Sequence, residues 1–287
     1  AQAAAAAWLA LGAAAPWPRA WVPPAPGPGG AYPFHAARAI LHLSLVPEPT
    51  PARSGIPGPG LPDPVRPLGV LGRTVGGCFF VDWDESPWGP YREVGLLSSL
   101  VVAASAAAWG GWASHVWVDS SEAAEGGRRL WGLPTSSCRI DVREPDGNGK
   151  VLAFGQAPLV HVGDGVGPLG RIDSAAQIVV GNAPRPTEEE ARGGLPWPIP
   201  EELVLPNLSG CLPDGASSDD AAGPDCRQLL SYGLRLRPAS ARLLPGRLPT
   251  GGAGVVPRVD FSSWLPLFSV ELRDIDIEVG APEALQP

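Results

Sequence analysis

Two side chains in this chain could form an acid–base couple. Glu93 opens the apolar run Val94–Ala104. A carboxylate at the mouth of a buried strand is destabilising unless it is paired or protonated. Arg38 stands beside another apolar run, Ala39–Val46, and is the natural partner. Two readings follow. In one, Glu93 and Arg38 face an interior cavity, where burial raises the carboxyl pKa toward acid/base work. In the other they are a structural salt bridge at the end of a barrel, which the residue types alone favour, since ion pairs perturb pKa as well. Amine chemistry is scarce. Of the 21 basic residues all but Lys150 are arginine. Lys150 ends the turn-like run Pro145-Asp146-Gly147-Asn148-Gly149. A turn leaves an amine too exposed for the desolvation that would activate it.

Other chemistries find less support. Gly165–Gly170 fits G-x-G-x-x-G, but Pro168 interrupts it and a strand-like run follows. A dinucleotide site needs a helix opening at that place, so a plain loop is expected. His35, His42, His115 and His161 lie far apart without paired spacing, and no metal site is predicted. The four cysteines, Cys78, Cys138, Cys211 and Cys226, show no C-x-x-C. A Cys211–Cys226 disulfide would close the polar loop Leu212–Asp225 in an oxidising compartment; four reduced thiols is the preferred alternative. Asn207-Leu208-Ser209 fits a glycosylation sequon, which matters only in a secreted protein.

The net charge of -8 disfavours a nucleic-acid partner, because phosphate binding needs clustered Lys and Arg. Ala3–Ala15 is apolar but shorter than a bilayer span, and no other window is long and uncharged enough. No transmembrane segment is expected. The absence of Met makes a processed or truncated start the expectation. Gly 37 and Pro 36 predict long irregular loops, while 11 Trp argue for a packed core.

The elements that would position these residues are mostly strands. Alternation in 37–46, 74–83, 91–104, 115–119, 175–180, 228–237 and 268–279 has period two. The last run changes phase, which predicts a β-bulge near Arg273-Asp274. One helix is expected, with Asp119 as N-cap, Glu122 in its first turn, Arg128 and Arg129 in its last, and Gly132 and Pro134 as stops. Segments 137–143 and 150–154 flank the Pro145–Gly149 hairpin signal. The fold class predicted is α+β, mainly antiparallel β, barrel-like, with few helices and long Pro/Gly-rich loops. Residues 1–31 read as an Ala/Pro/Gly-rich extension, 32–280 as the domain and 281–287 as a tail.

Several segments together resemble the acetoacetate decarboxylase-like superfamily. Phe34-His35-Ala36-Ala37-Arg38 is similar to its arginine strand, with one extra residue in the spacing. Pro90-Tyr91-Arg92-Glu93 is similar to its glutamate motif, and Trp131-Gly132-Leu133-Pro134 to its lysine turn. Within the superfamily the chain most resembles the plant and algal neoxanthin-deficiency branch, through Gly76-Gly77-Cys78-Phe79-Phe80, Asp84-Glu85-Ser86-Pro87, Val118-Asp119-Ser120-Ser121-Glu122-Ala123, Leu205–Gly210 and Leu234–Ala239. The resemblance covers roughly 32–279. It implies an acetoacetate decarboxylase-like β-barrel with a pocket of Arg38, Trp88, Tyr91, Glu93, Trp131, Thr135 and Ser136. Thr135 and Ser136 stand where the family's Schiff-base lysine would be. Neither carries an amine, so no imine and no decarboxylation are expected.

The resemblance also implies a chloroplast protein, stromal or thylakoid-associated, needed for the carotenoid neoxanthin. Three roles stand open. The first is an accessory protein holding an apolar ligand such as a carotenoid, with Trp83, Trp88, Trp109, Trp112, Trp117 and Trp131 as contact area. The second is a structural subunit of a photosynthetic membrane complex, a pigment-protein assembly. The third is an enzyme using Glu93 as acid/base with Arg38 holding an anion or oxygen. No cofactor is predicted beyond a bound carotenoid.

Overall fold

The computed structural model describes residues 24–48, 61, 65–103, 107–138, 140–143, 201–210, 229–244 and 263–285, with short strand pieces between 159 and 179. Lys150, the Pro145–Gly149 hairpin, Cys211, Cys226 and the stretch 1–23 lie outside the described residues.

Strands dominate, as the period-two runs predict. In chain order they are β1 (Ala31–Pro47), β2 (Val65–Pro67), β3 (Gly69–Val70), β4 (Arg73–Glu85), β5 (Tyr91–Ala103) and β6 (Ala108–Val118). The helix α1 (Ser121–Trp131) comes next. Then follow β7 (Thr135–Ser137), β8 (Ile140–Arg143), β9 (Leu159–Val162), β10 (Val166–Gly167), β11 (Gly170–Arg171) and β12 (Ala176–Val179). The last four are β13 (Leu203–Gly210), β14 (Leu229–Leu244), β15 (Leu265–Gly280) and β16 (Glu283–Leu285).

The large sheet closes on itself. Its order runs β5-β4-β1-β15-β14-β13-β6, and β6 pairs back with β5. Seven strands therefore form a ring. Every junction is antiparallel except β13–β6, which is parallel. β7 adds to β6 in parallel, so the sheet is mixed. The pairing β8–β9–β12 makes a separate small sheet. β10 and β11 pair as two-residue strands, Val166 with Arg171 and Gly167 with Gly170. The glycine run thus turns back as strands and opens no helix.

A row of irregularities crosses the ring. β1, β15 and β14 pair regularly on either side of Ala37, Asp274 and Ala239, and these three have no ladder partner. Asp274 adopts φ 47, the left-handed region. The phase change is real, but its cause is not the predicted β-bulge. Both ladders keep their register across Asp274, so a left-handed kink without an extra residue switches the faces. The register shift between β1 and β15 falls at Leu43/Ser44 instead. The row reverses which residues face inward: Tyr32, Phe34 and Ala36 before it in β1, Ala39 and Leu41 after it. The same switch appears in β15, from Val279, Ile277 and Ile275 to Leu272 and Val270.

One end of the ring is plugged by α1. Its N-cap is Ser120 rather than Asp119: the Ser120 Oγ accepts from Ala123 N at 3.2 Å. Asp119 is spent elsewhere, its Oδ1 accepting from Arg92 N at 2.6 Å. Gly132 closes the helix at φ 58, where a left-handed glycine lets the chain turn back. The interior glycines that weaken a helix here have a packing reason. A Cβ on Gly126 would lie 2.1 Å from the Trp88 ring, and one on Gly127 would lie 2.6 Å from Thr135 Oγ1. Among the described residues no helix is long and apolar enough to cross a membrane.

Candidate functional site

The interior of the ring holds a carboxyl group. Ala39, Val81, Glu93 and Val118 are ladder partners across β1, β4, β5 and β6. Directly paired residues point to one face of a sheet, so Glu93 points inward with its three apolar neighbours. Trp83 Nε1 donates to Glu93 Oε2 at 3.0 Å, and Tyr91 OH donates to the same oxygen at 3.3 Å. Burial pushes the Glu93 pKa up to about 7, against the opposing pull of these two hydrogen bonds. Desolvation wins because, among the described residues, no cation lies on the same face to offset it. The side chain is nevertheless only partly covered.

Above Glu93, toward α1, the interior is closed by rings. Phe34 lies 5.1 Å from Trp83 and 6.0 Å from Trp88, centroid to centroid. Trp131 meets Trp88 edge-on at 5.7 Å and Tyr32 at 5.2 Å. Such pairs each add about 0.5–1.5 kcal/mol beyond area burial. Trp131 Nε1 donates to Gly280 O at 3.0 Å, which fixes the plug to β15. The Tyr91 and Tyr232 hydroxyls are held protonated, chiefly by burial and then by the Glu93 charge.

Below Glu93 the interior is apolar and open. Leu41, Phe79, Leu97, Ala113 and Val270 point inward and stay partly exposed. On the outer face of the same strands Ile40, Phe80, Val94 and Leu96 are fully buried. The wall is thus covered outside and accessible inside, the reverse of a filled barrel. Gly95 is required here because the Phe79 ring lies over it; a Cβ would sit 2.1 Å from that ring. Glu93 is the floor of an apolar cup.

The residues singled out from the sequence divide between two faces. Trp88, Tyr91, Glu93 and Trp131 meet inside the ring, and Thr135 shares the inner face with its ladder partner Val116. Arg38 does not join them. It is the neighbour of Ala39 and a ladder partner of Asp82, so it points outward. It lies 4.0 Å from Glu271 and 6.0 Å from the centroid of Phe80. The Glu93–Arg38 couple is not formed, because strand alternation puts adjacent rows on opposite faces. Glu271, almost wholly buried, instead takes Arg38, Arg242 and Arg273, the last at 2.8 Å. Ser136 also points outward, as the partner of Trp117, while Thr135 packs under α1. Of the other tryptophans, Trp112 packs in a second core with Val65 and Leu208, Trp117 stacks on His115 at 5.3 Å, and Trp109 is exposed.

Sequence reasoning missed Phe34, Phe79 and Tyr232 as lining residues. Phe34 and Phe79 sit in strand runs whose inward parity was readable. Tyr232 gave no signal, since only ring closure brings β14 opposite β5. Among the described residues no three His, Cys, Asp or Glu side chains converge as metal ligands. Cys78 and Cys138 are buried thiols whose pKa is pushed up to about 12 by burial.

This arrangement has known counterparts. The chain superposes on acetoacetate decarboxylase from Legionella pneumophila with a TM-score of 0.52 and 17% identity, covering 94% of this chain and 92% of that one. It superposes on the enduracididine biosynthesis enzyme MppR with a TM-score of 0.52 and 16% identity, covering 93% and 89%. The fold is the acetoacetate decarboxylase-like one. In sequence the chain is similar to Protein NEOXANTHIN-DEFICIENT 1 of Arabidopsis thaliana, 27% identical over 161 residues, 52% of this chain and 56% of that protein. It is also similar to the Oryza sativa subsp. japonica protein of the same name, 32% identical over 109 residues, 38% and 33% of the two chains. The match therefore spans about half of the first relative and a third of the second. No family model matches the chain.

Proposed function

We propose that this chain is a non-decarboxylating acetoacetate decarboxylase-like protein that holds an apolar, oxygen-bearing ligand, a carotenoid end group, in plastid carotenoid metabolism. The observation that carries this reading is Glu93 at the floor of an apolar cup, hydrogen-bonded to Trp83 and Tyr91. A protonated carboxyl there can donate to a hydroxyl or epoxide oxygen while the Leu41, Phe79 and Val270 side chains receive the hydrocarbon. Decarboxylation through an imine is not part of the reading, because Thr135 and Ser136 have no amine. The likeness to the neoxanthin-deficiency proteins of land plants supports the pigment and the plastid setting.

The test is purification of the native protein followed by absorbance and pigment extraction. Wild type should carry carotenoid. Glu93→Gln should fold normally and retain about tenfold less, the worth of one hydrogen bond to a buried acid. A colourless wild-type protein ends the reading. Glu93 also favours a catalytic alternative, since an acid held near pH 7 is poised to give and take a proton. On that alternative Glu93→Gln abolishes conversion of an epoxy-carotenoid yet keeps the pigment bound. Unchanged conversion excludes it.

A further inference from the structure

We propose that the open end of the ring is a surface that docks on a lipid bilayer. Strand direction fixes the two ends. The starts of β4, β6, β13 and β15 and the ends of β1, β5 and β14 meet at the end away from α1. Nine large apolar side chains are exposed among the described residues, and all nine lie at this end. Chance would scatter them, since singly exposed hydrophobics are normal anywhere on a surface. Leu71 is 98% exposed and Val70 75%, both on the β3–β4 hairpin. Trp109 stands at the start of β6, Val204 at the start of β13, Leu265 and Leu267 at the start of β15. They surround the cup's opening instead of forming one flat side patch.

The hairpin tip fits a lipid partner. Leu71 adopts φ 54 and Gly72 φ 73. That turn ordinarily takes Asn or Gly, so a leucine there trades backbone ease for an apolar tip. The backbone around it is satisfied within the protein: Gly69 pairs with Thr74, Val70 with Arg73, and Glu48 N donates to Gly72 O at 3.0 Å. Lipid demands such internal pairing. The charged groups around the rim, Glu48, Arg66, Arg73 and Glu201, suit the headgroup layer. The opposite end presents Asp84, Glu85, Asp119 and Glu122. A bilayer is also the one partner that supplies an apolar ligand straight into the cup. That last point rests on the ligand reading above; the polarity of the molecule does not.

The experiment is co-flotation of the full chain with phosphatidylcholine vesicles. Wild type should float. Leu71→Asn suits the left-handed turn and removes the apolar tip, so its melting temperature should hold or rise while vesicle partitioning falls about tenfold or more. Adding Trp109→Gln should lower it further. A wild-type chain that stays with the soluble fraction overturns the proposal. So does equal flotation of the variants. Light scattering that shows wild-type dimers converted to monomers by Leu71→Asn, without vesicle binding, assigns the end to a second copy instead. Glu93→Gln should leave flotation unchanged. A protein that floats but carries no pigment keeps the docking surface and loses the ligand reading.

Discussion

Glu93, His42 and His115 set opposing pH dependences. The folded Glu93 pKa, about 7, lies above the ordinary 4.5. Between these values the folded chain keeps a proton that the unfolded chain has lost. Its stabilising contribution is full below about 4.5 and declines as pH rises to about 7. The two histidines run the other way. Burial lowers both from 6.5 to about 4, so their contribution is present above 6.5 and is lost as pH falls through 4. The melting temperature of Glu93→Gln minus that of wild type should therefore rise from pH 5 to pH 7; a flat difference means the carboxyl is not desolvated. Neither ring nitrogen of His115 has a hydrogen-bond partner among the described residues, although the ring stacks on Trp117. His115→Phe keeps the stack and removes two unsatisfied polar atoms. It should stabilise the fold by about 1–2 kcal/mol in thermal or urea unfolding and soften the acid limb.

At the scale of elements, α1 acts as the lid of the aromatic plug. Its sequence carries two glycines where alanine would favour a helix by about 1 kcal/mol. Gly126→Ala tests which effect wins. The added Cβ meets the Trp88 ring, which cannot retreat from Phe34 and Trp131. Net destabilisation of about 1–3 kcal/mol is expected, with a changed near-ultraviolet circular dichroism from the displaced indole. A neutral or stabilising result would mean the plug is looser than its ring contacts imply. Much of this layer was legible in the sequence. Period-two runs gave β1, β4 and β5, and the phase break located the face switch at Asp274, although a left-handed kink and not a β-bulge makes it. The helix was legible too, its cap one residue away, because Asp119 and Ser120 are both competent caps and only the Arg92 backbone contact distinguishes them. That Arg38 and Glu93 take opposite faces was not legible. Two residues on different strands can be near in any register, and the face each takes depends on the unpaired Ala37, which no pattern marks.

At the scale of the whole molecule, the exposed large apolar side chains among the described residues are concentrated at one end. The chain carries -8 overall, yet the open end is mostly apolar. Association with neutral vesicles should then persist at 0.5 M salt, roughly where the Debye length shrinks to a few ångströms. At low salt, strongly anionic vesicles should bind less, because the net charge repels them. Binding confined to anionic vesicles and abolished by salt would mean that rim arginines, not the apolar tip, make the contact.

The residues alone determined what this protein lacks and what it is built from: no amine after Leu133-Pro134, a carboxylate at the head of an apolar strand, and enough alternating runs to enclose a space. These are local properties, fixed by side-chain chemistry and by the two-residue repeat of a strand. Tertiary structure decided who faces whom. Closing seven strands into a ring brought Tyr232 toward Glu93, turned Arg38 outward to Glu271 and gathered the large exposed apolar side chains of the described residues at one end. Strand order and the row of unpaired residues at Ala37, Asp274 and Ala239 set those relations. Both arise from long-range pairing, which sequence spacing does not encode.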